Sequence, residues 1–79
     1  SMTMNKLRRS SIQSIIDALG TAQSDVENVQ YEEQDCLDNL PENLQSSERA
    51  DRMQEAIDAL EEAADLISQA VEQLNTAME

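Results

Sequence analysis

Residues 47–78 read SERADRMQEAIDALEEAADLISQAVEQLNTAM, and their spacing decides the fold. Ala56, Ala63, Ala70 and Ala77 recur every seventh residue. So do Met53, Leu60, Ile67 and Leu74, and so do Ile57, Ala64, Val71 and Met78. In heptad terms the three series fill d, a and e. One broad helical stripe is therefore apolar, and the rest of the surface is mostly acidic or amide. A helix with that stripe in water is not stable alone, so packing must cover it. The alanines permit close approach of a neighbouring backbone, and Leu66 extends the stripe on the flank opposite the Ile57 series.

Working outward, residues from about 5 to 38 form a second periodic segment. Ile12, Ile15, Leu19, Ala22, Val26 and Val29 step by three and four. Cys36 and Leu40 continue the series, Glu33 interrupts it, and Ile16 and Leu37 widen it. The phase is unchanged across Gly20, which predicts one helix rather than two. The alternative is a hinge or a close helix contact at that glycine.

Between the two segments, Pro41 disfavours helical geometry at Leu40 and has no N–H to donate, so the first helix should stop near Asn39. Asn39 followed by Glu42 resembles a capping box, with a short helical turn at 40–45. Ser46 or Ser47 can cap the second helix, and Glu48 suits its positive end. Two long helices of matched length and a short connection predict an antiparallel hairpin over about 5–38 and 47–78. The second helix's stripe is wider than one partner covers. A homo-oligomeric bundle, a dimer or larger, is therefore expected, with an interface on Met53, Ala56, Ile57, Leu60, Ala63, Ala64, Ile67, Ala70, Val71 and Leu74.

Composition agrees. The 79 residues include no Trp or Phe, one Tyr, one Gly and one Pro, which excludes a strand-rich fold and fits a single all-α domain over 1–79. Ser1 ahead of Met2 reads as a tag remnant. Five basic residues stand against seventeen acidic ones, a net charge of −12, which argues against direct nucleic-acid or anionic-membrane binding. No apolar run is long enough for a membrane span, and no apolar block of signal-peptide length follows Lys6, Arg8 and Arg9. One cysteine, Cys36, allows no internal disulfide and fits a reducing compartment.

The residues argue against catalysis. There is no His. Cys36 lies on the apolar series and reads as a buried small hydrophobe. Ser10, Ser11, Ser14 and Ser24 have no base nearby in sequence. Carboxylate pairs such as Glu61/Asp65 and Glu32/Asp35 lack the histidines of a diiron bundle and the spacing of a calcium loop, so no metal or cofactor is expected.

One anion-binding arrangement stands out. Arg49 and Arg52 fall in the first turns of the second helix, beside Ser46 and Ser47 and free backbone N–H groups. Lys6, Arg8 and Arg9 lie at the other end of the hairpin, and an antiparallel dimer brings the two basic clusters together. Tyr31 is available as a stacking ring. The plainer reading pairs Arg52 locally with Glu48 or Glu55. Asp51, Glu55, Asp58, Glu62 and Asp65 make an acidic face.

The connection DNLPENLQSSER, residues 38–49, followed by RMQEAIDALEEAADLISQAVEQL, residues 52–74, resembles a group of small acidic helical-hairpin proteins. These are encoded by bacteriophages and other mobile elements of Firmicutes. In them an acidic segment leads into a DNLPESLQ-like turn, and a Ser-Glu-Arg precedes Glu/Ala/Ile heptads. The likeness covers about residues 32–74. Asn43 stands where the group has Ser, and Ala50 where it has Gly. The resemblance implies an accessory protein acting in the cytoplasm of a bacterial host, where such proteins often antagonise host defences. Three expectations follow: an oligomer that sequesters a phosphate-bearing nucleotide between subunits, an acidic DNA mimic that occupies a basic host protein, or a structural assembly helper.

Overall fold

The computed structural model describes residues 4–79; the tag-like Ser1 lies outside the described residues. Its elements are two long helices and one turn. Helix α1 spans Lys6–Asp38 and helix α2 spans Glu48–Met78, with a single 3-10 turn, Glu42–Leu44, between them. No strand occurs among the described residues. The helices pack along each other as a hairpin, 61 Å in its longest dimension and 14 × 12 Å across.

The helix ends follow from their capping chemistry. Asn5 caps α1: its Oδ1 accepts from the Arg8 backbone N–H at 2.8 Å. Ser47 caps α2: its Oγ accepts from the Ala50 N–H at 3.1 Å and donates to the Leu44 carbonyl at 2.7 Å. The expected capping box at Asn39 and Glu42 does not form. Asn39 closes the end of α1 instead, with Nδ2 donating to the Asp35 carbonyl at 2.8 Å, and Pro41 begins the 3-10 turn without a side-chain cap. Asn is suited to either role, and here the orphan carbonyls of α1 claim it. Gln45 completes the closure. Its Nε2 donates to the carbonyls of Leu37, at 3.1 Å, and Leu40, at 2.8 Å.

The core is concentrated at this closed end. Leu37, Ala50, Met53 and Ile57 form one buried cluster, with Leu40 packed against it. Farther along, Ala64 is buried, while Leu60, Ile67, Val71 and Leu74 are only half-buried. On α1 the half-buried positions are Arg9, Ile12, Ile16, Leu19, Ala22 and Val26, together with Gln23, Gln30, Glu33 and Gln34, and Leu40 just past its end is half-buried too. The seam thus runs along the Ile16 and Leu37 side of the apolar stripe. Ile15 and Val29 remain 49% and 50% exposed, and Cys36, expected to be buried, is exposed. Positions one residue apart, such as Ile15 and Ile16 or Val29 and Gln30, lie about 100° apart around the helix, so they cannot both point at the same partner.

Gly20 sits inside α1 without a kink, a positive φ or a close neighbour. A Cβ built there meets nothing within 4 Å. Neither a hinge nor a close contact requires the glycine. Gly20→Ala is expected to raise stability by up to about 1 kcal/mol, read as a higher denaturant midpoint with an unchanged slope. A lower midpoint would show that the glycine serves a packing role.

Candidate functional site

The basic residues occupy the two ends of the hairpin. Arg49 and Arg52 lie in the first turns of α2, beside the connection. Lys6, Arg8 and Arg9 lie in the first turn of α1, a helix length of about 50 Å away at 1.5 Å per residue. A single chain does not bring them together.

At the connection end, Arg52 pairs with Glu48 one turn back at 3.8 Å, the local pairing anticipated from the spacing. Both side chains are largely exposed, so the pair contributes no more than a few tenths of a kcal/mol and leaves the guanidinium open to competition. Arg49 is exposed and makes no ion pair among the described residues. The Ser47 hydroxyl is committed to its cap, whereas Ser46 is exposed in the turn. Glu48 and Asp51 share the first turn of α2, so an anion here meets carboxylates as well as arginines and N–H groups.

Tyr31 is elsewhere. It is 74% exposed and lines a shallow groove of about 340 Å³ with Glu27, Gln30, Gln34, Glu61, Ala64 and Asp65. Three carboxylates around one ring suit a cation rather than a phosphate. The ring lies on the order of 15–20 Å along the axis from Arg49 and Arg52, counting residues at the helical rise. The hairpin therefore does not join Tyr31 to the basic residues within one chain.

The expected interface residues divide into two groups. Met53, Ile57 and Ala64 are buried, and Leu60, Ile67, Val71 and Leu74 are half-buried along the hairpin seam. Ala56 and Ala70 face outward, and Ala63 is half-buried. Sequence reading placed the α1 counterpart of this strip on the apolar stripe but did not separate it as a heptad series of its own, and Ala22 within it is half-buried. Ile15, Ala22, Val29 and Cys36 recur every seventh residue just as the alanines do. That common spacing was the available signal.

The acidic residues form columns on α2. Asp51, Asp58, Asp65 and Glu72 recur every seventh residue, and Glu55 and Glu62 stand beside them; all are exposed. Among the described residues no group of His, Cys, Asp or Glu is arranged to hold a metal ion, and no helix is long and apolar enough to cross a membrane. No protein-family model, curated protein or solved structure matches this chain.

Proposed function

We propose that this chain is a non-enzymatic, homo-oligomeric binding protein of a phage or mobile element. It antagonises host defence in the cytoplasm of a bacterium by holding a phosphate-bearing nucleotide between subunits. The observation that carries this reading is the placement of positive charge. In a chain of net charge −12, all five basic residues sit at the two ends of the hairpin. Two copies aligned with their connections at opposite ends bring Arg49 and Arg52 of one beside Lys6, Arg8 and Arg9 of the other. That gives each end of the assembly a basic cluster beside a helix N-terminus.

Thermal melts with phosphate-bearing nucleotides test this. A ligand at about 100 times its Kd stabilises by roughly 2.7 kcal/mol, a shift of several degrees. Arg49→Ala is expected to weaken binding at least about tenfold, the worth of one charge-assisted hydrogen bond. No shift with any nucleotide, or an unchanged shift in the variant, contradicts the reading. A distance between labels at position 35, introduced as Asp35→Cys in a Cys36→Ser background, tests the alignment, because that side chain is exposed and points away from the Ile15 and Val29 series. Opposite ends place the labels about 40 Å apart along the axis, whereas labels at the same height separate the basic clusters and contradict the site.

The acidic columns favour a second reading, in which the chain mimics DNA and occupies a basic host protein. Asp51, Asp58, Asp65 and Glu72 line one helix in a row about 10 Å apart at the helical rise. Binding of that kind falls steeply with salt and is displaced by duplex DNA.

A further inference from the structure

On each helix the hairpin seam takes up two adjacent heptad series and leaves a third at its edge, where Ala22 and Ala63 are half-buried and the other members are exposed. On α2 the unused series is Ala56, Ala63, Ala70 and Ala77. On α1 it is Ile15, Ala22, Val29 and Cys36. Both lie on the same side of the hairpin. The groove on one side of the seam is lined by Glu27, Tyr31 and Gln34 from α1 and by Glu61 and Asp65 from α2. Val29 and Ala63 project from the opposite side of their helices, about 160° around from Tyr31 and Asp65. The hairpin therefore has one acidic face and one apolar face.

Four features of the apolar face point to a specific cover. First, its α1 series is more apolar than the adjacent seam series, Ile16, Gln23, Gln30 and Leu37. A lone hairpin gains nothing from leaving its more apolar series in water. Second, Ile15, Val29 and Leu66 are each about half exposed, at 49%, 50% and 53%. Third, neither series contains a charged residue between Ile15 and Ala77, in a chain where more than a quarter of residues are charged. Fourth, the area is the right size. The chain exposes 5848 Å², whereas a folded monomer of its 8.8 kDa exposes about 4,800 Å². The excess, on the order of 1,000 Å², is spread over the elongated hairpin, and it is large enough to supply a standard interface, which takes about 800 Å² from each partner.

We propose that a second copy of this chain covers the face, completing a four-helix bundle. This rests on the homo-oligomeric reading above and assigns it a surface. A single foreign helix fits less well, because the face is two helices wide. A second hairpin matches that width, and it sets the small alanines of one helix and the larger Ile and Val of the other against a surface of the same kind.

Sedimentation mass and helix content test the proposal in three proteins. The wild type is expected at twice 8.8 kDa. Ala63→Glu places a carboxylate from each copy in the middle of the contact, and it is expected to weaken association at least about 100-fold. Ser68→Glu, on the acidic side of α2, is expected to leave the mass unchanged. A wild-type dimer whose Ala63→Glu variant associates as tightly as Ser68→Glu overturns the face but not the oligomer. A wild type of monomer mass at about 100 µM overturns the oligomer itself. If Ala63→Glu loses its helix signal, the Cys36 thiol of the wild type decides. Its alkylation is expected to slow at least about tenfold as protein concentration rises through the association range, because the thiol lies on the covered face. A rate independent of concentration overturns the proposal.

Discussion

Ile57→Ala is expected to lower the unfolding free energy by about 3 kcal/mol, the largest effect of any single truncation in the chain. Among the described residues Ile57 is the most deeply buried, 3% exposed, and it joins Leu37, Ala50 and Met53 in the cluster that closes the hairpin. Removing its methylenes leaves a void between two helices pinned by the Asn39, Gln45 and Ser47 caps, so the walls cannot collapse to fill it. Small domains have only about 5–15 kcal/mol in total, so the variant should melt well below the wild type. Urea unfolding at fixed protein concentration measures it. The comparison is Leu7→Ala, at a side chain 80% exposed, which is expected to change stability by less than about 0.5 kcal/mol. Equal effects at the two positions would show that the core does not lie at the closed end.

Glu33→Leu is expected to do the opposite, raising stability by about 1 kcal/mol. Glu33 is a half-buried position on α1 between Val26 and Leu40, at about the height of Leu60 on α2. A carboxylate at this half-buried position contributes no apolar contact to the seam and adds to a net charge of −12. Leucine in its place extends the buried cluster toward the open end and removes one negative charge. Such polar seam residues cost stability and can fix register, a role they play in coiled coils. A matching readout is therefore the number of conformers. Glu33→Leu is expected to gain stability, and any loss of a single register would appear as doubled amide resonances. Reduced stability would mean that Glu33 makes a favourable interaction across the seam.

Much of the hairpin was legible in the sequence because its signals are local. Pro41 ends one helix by sterics, and Ser47 begins the next by supplying a hydroxyl where N–H groups lack partners. Seven-residue spacing within each segment specifies a long amphipathic helix. What was not legible is which part of a three-series stripe turns inward. Val29 and Gln30 are adjacent, both lie at the edge of the same stripe, and polarity alone favours burying Val29. The structure half-buries Gln30 and leaves Val29 outside. The choice is made jointly by both helices, since α2 presents Ile57, Ala64 and Val71 to the same seam.

The candidate site was less legible for the same reason. Arg49, Arg52 and Tyr31 are each identifiable as binding side chains, but their separation depends on the hairpin's geometry. Asn39 illustrates the limit at smaller scale. Its amide suits a helix start or a helix end, and only the competing demand of the α1 carbonyls decides. The charge placement and the two faces supply the physical content of the functional proposal.

The proposed bundle makes one hairpin half of a fold. Wild-type protein followed by sedimentation and circular dichroism over about a hundredfold range of concentration tests it most directly. The expected result is a mass of twice 8.8 kDa at the high end, with mass and helix signal falling together on dilution. A monomer that keeps its full helix signal at every concentration would contradict it.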